Sequence, residues 1–405
     1  MSDSHSSRIK LTFAGDIMCE VEQLQAYTVD GADYDFREVF AGVCKWFADS
    51  DWVTANLETP IADERLCYTR EQYSFNTPIE FARAVKACGV DLVSTANNHC
   101  LDRGVMGLKN TISALDACEL AQVGINADAA APRYLIREIG GIRVAFLAYT
   151  YGTNAFANRV YLKNNQSHVV NLLRRQELSG LKSKFLYGER KTFLHRALHK
   201  MLRLIFRPRI PPIWECSESG SCQRRQIRRD MRACREEKPD FIVVCMHEGG
   251  QYNPQPLPRT KKTASFFVEQ GANAVIGNHE HVVHCCDANR LGAGTVKAYA
   301  LGNFCGTVGV HKAPYDTMSD CSVLLHLYLL KEEGRTQIEK CTFSVLKSIS
   351  CGGDKVRTVY LFDLIEDCAN PGEKECLLQE NLRIVNVFTG RNYEKIANAR
   401  EYDMH

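Results

Sequence analysis

Short apolar runs of strand length alternate with helix-length segments along most of the chain. The runs that predict strands lie at 9–16, 52–59, 90–99, 142–150, 241–247, 272–279 and 296–304. Residues 36–49 and 79–88, which lie among the early runs, have the pattern of helices. This alternation predicts a layered α/β fold in which helices cover the faces of the sheets.

Polar residues end each apolar run. In α/β sheets the loops at the carboxyl ends of the strands meet at one edge, and ligands bind there. The residues that directly end or follow the predicted strands are Asp16, Glu58, Asn98, His99, His247, His279, His281 and Asn303. We therefore expect these side chains to lie in one site.

The composition names no partner, because 45% hydrophobic residues, 24% charged residues and a formal net charge of +2 are ordinary for a globular protein. The N-terminal residues show no charged segment followed by an apolar one, and no run approaches the roughly 18 apolar residues of a membrane span. We therefore expect a cytoplasmic protein. Eighteen cysteines without a C-x-x-C pair are expected to be mostly reduced and buried.

The candidate site residues include histidines, carboxylates and an amide. This mixed set of nitrogen and oxygen donors suits zinc, manganese or iron better than an ion that prefers sulfur. In the sequence HEH, the alternation of an extended segment would point His279 and His281 in the same direction. His284 lies an odd number of residues away and is left out. The sequence predicts one or two divalent transition metal ions.

Six motifs occur in an order that resembles a known family. They are FAGDIM (13–18), ANLETPI (55–61), STANNHCLDRG (94–104), MHEGGQY (246–252), IGNHEHVVH (276–284) and YALGNF (299–304). The chain resembles the CapA proteins of capsule and poly-γ-glutamate synthesis, a branch of the calcineurin-like metallophosphoesterases. The resemblance covers about residues 8–310 and implies a layered αββα metallophosphoesterase-like sandwich.

The resemblance also implies roles for single residues. Asp16 and His281 would bind a first metal ion, and Glu58 would bridge it to a second ion. The remaining ligands of the second ion would be Asn98, His247 and His279. His99 would be the general acid or would stabilise the leaving oxygen, and Asp102 would either set the tautomer of His99 or shape its loop.

Two positions depart from the pattern of the wider superfamily. The superfamily pattern begins with D-x-H, but here the residues are Asp16, Ile17 and Met18. Because a thioether is a poor ligand for a hard metal ion, the first site could be weak or empty. Glu58, where the superfamily has aspartate, moves the bridging oxygens outward by one methylene group. The sequence leaves open whether the centre holds one ion or two.

A second group of residues is predicted to contact the substrate. Gly249 and Gly250 would let a ligand approach the backbone, or would only form a tight turn. The amide of Gln251 and the phenol of Tyr252 offer hydrogen bonds. Asn56 and Asn303 are placed in the same group, although Asn303 could instead cap a loop.

The segment 173–235 separates two predicted strands and is basic. From Lys182 to Arg209 it holds nine lysines and arginines and one acid, Glu189, with an amphipathic helix predicted at 192–209. This helix could be a solvated basic face, a lid that steers a polyanion, or a peripheral contact with an anionic membrane. Nucleic acid is not expected, because no aromatic platform accompanies the charge.

Residues 311–405 contain β-rich runs such as CSVLLHLYLL. They predict a small C-terminal extension packed on the 8–310 domain, either as added strands of a sheet or as a β-rich appendage.

The function predicted from these features is that of a metal-dependent hydrolase or transferase. Its substrate would be anionic, either a phosphoester or the γ-amide linkage of poly-γ-glutamate. The alternative is a non-catalytic, metal-stabilised protein that binds an anionic polymer within a synthesis complex. A fold does not choose between these functions.

Overall fold

The computed structural model describes residues 6–29, 33–70, 73–176, 221–288, 294–306 and 318–404. The basic helix predicted at 192–209, and with it most of the insertion 173–235, lies outside these residues. Within the described ranges, no helix combines the length and the apolar character that crossing a membrane requires.

Two β-sheets form the centre of the described fold. The larger has nine strands, in the order β16-β15-β14-β1-β4-β5-β6, with β13 paired to β1 and β17 paired to β15. Its strands are β1 (Ser7–Ile17), β4 (Trp52–Leu57), β5 (Leu92–Ser94), β6 (Ala121–Val123), β13 (Asn303–Cys305), β14 (Cys321–Glu332), β15 (Arg335–Ser350), β16 (Val356–Tyr360) and β17 (Tyr402–Asp403). Strands β1, β4, β5 and β6 run parallel.

The smaller sheet has six strands in the order β11-β12-β10-β9-β8-β7. They are β7 (Leu135–Ile139), β8 (Ile142–Thr150), β9 (Phe241–His247), β10 (Ala274–Asn278), β11 (Cys286–Ala288) and β12 (Val296–Ala298). The central strands are parallel and read as nearly continuous apolar runs, as expected for strands covered on both faces. A separate hairpin joins β2 (Thr28–Val29) to β3 (Asp33–Tyr34).

Helices cover the outer faces of the sheets and one end of the sandwich. They are α1 (Val21–Ala26), α2 (Arg37–Phe40), α3 (Cys44–Phe47), α4 (Ile79–Ala87), α5 (Gly104–Ala117), α6 (Ala155–Asn158), α7 (Ser221–Glu236), α8 (Pro258–Glu269), α9 (Leu361–Asp367) and α10 (Pro371–Thr389). Short 3-10 turns occur at Glu64–Leu66 and Asn164–Gln166.

The period-two alternation of the strands produces the layers. Phe146 of β8 is buried in a core that it shares with Leu11 and Phe13 of β1, so this core lies between the two sheets. The next residue of β8, Leu147, packs instead with Phe267 of α8 on the outer face of the smaller sheet. Another core packs α1 to α4 on the larger sheet. The predicted αββα layering is confirmed.

Two predicted elements are divided in the structure. The run 296–304 is not one strand, because β12 pairs with β10 in the smaller sheet while β13 pairs with β1 in the larger one. Gly302, with φ of +80°, makes the turn between them. The helix predicted at 36–49 is broken into α2 and α3, because Gly42 bridges to Val359 and leaves the helical path.

The strands after residue 310 are part of the central sandwich. β14 lies antiparallel beside β1 over seven residue pairs, and β15 and β16 continue the same sheet. Leu325 of β14 and Phe343 of β15 are buried in the core between the sheets. The predicted division at residue 310 therefore does not separate two cores, and these residues add strands to the sheet.

A buried histidine in this added sheet makes stability depend on pH. His326 of β14 hydrogen-bonds through its two ring nitrogens to the hydroxyls of Thr12, at 2.9 Å, and Ser344, at 3.0 Å. Burial lowers the pKa of His326 from 6.5 to about 3, with Lys10 adding to the effect. Since the folded state binds this proton more weakly than the unfolded state, stability is lost as the pH falls from 6.5 toward 3.

The expected loss is up to about 1.4 kcal/mol for each pH unit in that window. His326→Leu should be less stable than the wild type at pH 7.5, because the two hydroxyls lose their partner. The difference in the free energy of unfolding between the two proteins should narrow as the pH is lowered to 5, since only the wild type must keep an imidazole neutral. Urea unfolding at several pH values measures this difference, and a difference that does not change with pH would contradict the expectation.

Candidate metal centre

Three neighbouring strands of the larger sheet bring the first site residues together. Asp16 of β1 lies in register with Asn56 of β4, which in turn pairs with Ser94 of β5. Asn56 donates through Nδ2 to Asp16 Oδ1 at 2.8 Å and accepts from Ser94 Oγ at 3.0 Å. Both the nitrogen and the oxygen of the Asn56 amide are therefore used within the protein, so Asn56 supports Asp16 in place of the predicted contact with substrate.

Glu58 lies at the centre of the cluster. It is fully buried, and neither carboxylate oxygen has a hydrogen-bond partner among the described residues. Three imidazole nitrogens surround its Oε1 atom, with His247 Nε2 at 3.3 Å, His281 Nε2 at 3.9 Å and His99 Nε2 at 4.0 Å. A buried carboxylate without hydrogen bonds is costly unless another positive group satisfies it, and a metal ion is such a group.

The smaller sheet contributes the histidines from the ends of β9 and β10. His247 Nε2 lies 2.6 Å from Asn98 Oδ1, so two predicted ligands of one ion are adjacent. His279 follows β10, and its backbone N–H donates to Asp16 Oδ2 at 3.1 Å. His279 Nδ1 is buried without a hydrogen bond in the described part of the chain.

His281 is held from two sides. Its Nδ1–H donates to Asn303 Oδ1 at 3.0 Å, which leaves Nε2 as the ligand nitrogen. Nδ1 is also 3.4 Å from Asp16 Oδ2. Asn303 is 8% exposed and opens β13, where the sequence placed it at the end of a strand. Asn303 thus contacts a candidate ligand through Oδ1, while its Nδ2 donates to the Ser319 carbonyl at 3.4 Å and holds the loop before β14, which corresponds to the loop-cap alternative.

The backbone of HEH is not extended. His279 has φ of +99° and His281 has φ of +57°. The expectation that strand alternation would align the two rings is therefore wrong in its reason, although both rings do face the site and lie 6.0 Å apart. Two non-glycine residues with positive φ store local strain, which recurs at functional sites.

Burial and charge act on these groups in opposite directions. Burial, together with the nearby Glu58, raises the pKa of Asp16. Burial alone would raise the pKa of Glu58, but His247 and His281 hold it below its ordinary value. Burial lowers the pKa of His279 well below 6.5, so its ring is neutral and keeps a lone pair for a ligand bond.

The candidate ligand atoms form two overlapping groups. Glu58, His279 and His281 make one, and Asp16, Glu58 and His247 make the other, with all atoms of a group within 4.8 Å of one another. Both groups contain Glu58. The grouping differs from the one implied by the resemblance, which joined Asp16 to His281, because the 3.4 Å distance between these two residues involves Nδ1 of His281 and not its ligand nitrogen Nε2. The residues present fit one or two divalent ions.

Met18 directly follows β1, two residues after Asp16. It is 3% exposed, and its N–H donates to the Cys305 carbonyl at 2.9 Å. The end of its side chain lies against Gly306. Met18 is therefore a buried residue of the β1–β13 junction.

His99 and Asp102 form a pair beside the candidate ligands. His99 Nδ1 lies 2.7 Å from Asp102 Oδ2. The same oxygen accepts from Phe75 N, and Oδ1 accepts from Asn158 Nδ2, both at 2.8 Å. Burial alone would lower the pKa of His99, but the Asp102 carboxylate raises it. Asp102 both holds the imidazole and ties down the surrounding loops, so the two predicted roles are combined.

The turn after His247 is shaped by a carboxyl group of the protein itself. A Cβ atom on Gly249 would lie 1.8 Å from Glu280 Oε1, and Gly250 N donates to Glu280 Oε2 at 2.7 Å. Gly249 therefore makes room for Glu280 and Gly250 for Asn253, which corresponds to the turn alternative. The predicted approach of a ligand to Gly250 finds no support, because its N–H is already used.

The other two residues of this turn lie beside a candidate ligand. Gln251 Nε2 lies 3.2 Å from His281 Nε2, and the ring of Tyr252 is 5.7 Å from that of His281. Their place next to the centre is compatible with substrate contact.

The loop after β8 also contacts the centre, and its residues were not predicted. The ring of Tyr151 packs against that of His279 with centroids 4.5 Å apart, and Asn154 Oδ1 accepts from Asn98 Nδ2 at 3.4 Å. Asn158 reaches Asp102, as described above. The rule that found the other residues, polar groups at strand ends, also applies to Tyr151, but a contact of Asn158 with Asp102 leaves no local signal.

Taken together, these residues define a layered α/β protein with a buried candidate metal centre at the carboxyl ends of its strands. Residues 10–307 match the family described as "Bacterial capsule synthesis protein PGA_cap". The chain belongs to this family, and the resemblance seen in its motifs is confirmed.

Two named relatives are similar over most of this chain. "Capsule biosynthesis protein CapA" of Bacillus anthracis is 25% identical over 303 residues, which are 74% of this chain and 60% of that protein. "PGA biosynthesis protein CapA" of Bacillus subtilis (strain 168) is 24% identical over 300 residues, 73% of this chain and 63% of that protein. The chain thus spans about three fifths of these relatives.

Two solved structures are similar at low scores. A hypothetical protein from Thermus thermophilus gives a TM-score of 0.41 at 18% identity, covering 84% of this chain and 99% of that chain. The calcineurin-like phosphoesterase YfkN from Bacillus subtilis gives 0.42 at 10% identity, covering 95% and 99%. Since both scores are low, the fold assignment rests on the strand order and layers described above.

Proposed function

We propose that this protein is a metal-dependent hydrolase or transferase that acts on an anionic substrate, a phosphoester or poly-γ-glutamate. The observation that carries this proposal is Glu58, a buried carboxylate without hydrogen bonds to the described residues that lies among three imidazoles. Such an arrangement is hard to account for as packing alone, because a buried carboxylate needs positive charge beside it, and imidazoles that converge on a carboxylate are also the donor set of a transition metal site. The names of the two relatives, which refer to capsule and PGA biosynthesis, support the choice of polymer.

The ions would be held by carboxylate, amide and imidazole groups, and these are Asp16, Glu58, Asn98, His247, His279 and His281. When bound, divalent ions polarise a phosphoryl or acyl oxygen and lower the pKa of a bound water. Asn56 and Asn303 orient two of these ligands, as the hydrogen bonds above indicate. The remaining residues would act on the substrate itself.

We assign the proton transfer to His99, and two contacts support this role. Asp102 accepts from Nδ1, so the Nε2 atom faces Glu58 at 4.0 Å and the reaction centre. From there it would donate a proton to the leaving oxygen or nitrogen of the substrate. Gln251 and Tyr252, on the His281 side, would orient the substrate by hydrogen bonds.

Metal content tests the proposal first. Purified protein, loaded with manganese or zinc and desalted, should hold one or two equivalents by elemental analysis, and His279→Ala and Asp16→Ala should each hold less. The loaded wild type should then hydrolyse bis(p-nitrophenyl) phosphate or shorten poly-γ-glutamate, with chelator abolishing the activity. Bound metal without turnover on any of these substrates would contradict the enzymatic proposal and favour the polymer-binding alternative.

A further inference from the structure

Two arginines from different elements converge on one carboxylate next to the metal centre. Arg174 follows the segment that bridges Thr150 at the end of β8, and Arg259 lies in the first turn of α8. Arg174 Nη2 is 3.2 Å from Glu248 Oε1, and Arg259 Nε is 3.9 Å from the same oxygen. The three side chains together carry two positive charges and one negative charge.

The cluster is tied to the candidate ligands. The Arg174 guanidinium lies 5.2 Å from the centre of the Tyr151 ring, and that ring packs against His279. Arg259 Nη2 donates to the Gly249 carbonyl at 2.8 Å. Glu248 itself directly follows His247 in the chain. Arg174 is therefore linked to His279 through Tyr151, and Arg259 is linked to His247 through the turn that follows it.

The arginines reach the surface while their acid does not. The side chains of Arg174 and Arg259 are 27% and 50% exposed, whereas that of Glu248 is 4% exposed. The first turn of α8 contains no acidic residue, so the helix dipole adds to the positive potential there. A cation in the first turn of a helix is unfavourable unless an anion offsets it, and Glu248 supplies one negative charge for both arginines.

We infer that Arg174 and Arg259 form a subsite for a second anionic group of the substrate, a carboxylate or a phosphate next to the group held at the metal centre. Guanidinium groups suit both because they bind planar carboxylates and phosphates with paired hydrogen bonds. Glu248 holds the two side chains in place. The subsite rests on the proposed function and narrows it to substrates that carry repeated negative charges.

Binding to the metal-loaded protein tests this subsite. Calorimetry at one low ionic strength would use tetra-γ-glutamate, its α-carboxamide counterpart and a glycerol phosphate tetramer. Arg174→Gln with Arg259→Gln should weaken binding of one anionic oligomer by at least about tenfold, the loss typical of a charged hydrogen bond. Weaker binding of tetra-γ-glutamate would identify a carboxylate subsite, and weaker binding of the glycerol phosphate tetramer would identify a phosphate subsite. The α-carboxamide counterpart should bind the wild type and the double variant with equal affinity.

Arg228→Gln is the matched control, because this exposed arginine of α7 also lies against an aromatic ring, Phe266, at 5.4 Å. It should bind like the wild type. The inference is overturned if the wild type binds neither anionic oligomer, if the double variant binds both unchanged, or if it loses metal. If the oligomer binds but no substrate is turned over, the enzymatic proposal fails while the subsite stands.

Discussion

Glu58→Gln is expected to abolish metal binding more completely than any other single ligand change. Glu58 is the one residue that the two overlapping groups of candidate ligand atoms share. Glutamine keeps the size of the side chain but removes its negative charge, so both groups lose their common anion. Substituting a residue that only supports a metal ligand lowers metal affinity by about 10- to 100-fold, and the loss in Glu58→Gln should be larger.

Elemental analysis and metal titration would measure this loss, with Asn303→Ala as the variant that removes only a support of His281. In the presence of chelator, Glu58→Gln should unfold at a lower temperature than the wild type. The reason is that His247 and His281 hold the pKa of Glu58 below its ordinary value, so the ionised carboxylate stabilises the fold even without metal. A variant that keeps its full metal content would show that Glu58 does not bridge the two groups.

His99→Ala is expected to reduce turnover by about 100-fold or more, the usual contribution of a general acid, while metal content stays unchanged. His99 belongs to neither group of candidate ligand atoms. Its removal leaves a gap beside Phe75, whose ring is 4.4 Å away, so His99→Gln provides a second variant with less loss of packing.

The dependence on leaving group separates proton donation from a structural effect. If His99 protonates the leaving group, both variants should lose more rate with an alkyl phosphodiester than with bis(p-nitrophenyl) phosphate, because p-nitrophenolate leaves without a proton. Asp102→Asn should show the same trend more weakly. An equal loss on both substrates, or a loss of metal in both variants, would contradict the role of His99.

Most of the candidate centre could be predicted from strand ends. All six predicted ligands, and His99, lie close together, because parallel strands deliver the residues at their carboxyl ends to one edge of a sheet. The layers were predictable for a similar reason, since period-two alternation assigns Phe146 and Leu147 of β8 to opposite faces.

Supporting contacts could not be predicted in the same way. Asn56, Gly250 and Asn303 were expected to meet the substrate, but they support Asp16, Glu280 and His281. Whether a polar side chain faces a ligand or a neighbour depends on residues far away in sequence. Asn303, for example, is 22 residues from His281.

The sequence by itself determined which donors are present, at which strand ends they lie, and the family to which the chain belongs. The donors and their positions follow from residue chemistry and local periodicity, and the family follows from the six motifs, so neither needs knowledge of distant contacts. Only the tertiary structure decided that β14 to β16 join the same sheet as β1, that HEH turns through positive φ angles, and that Glu58 lies among three imidazoles. Each of these depends on packing between segments that the chain brings together only when it folds.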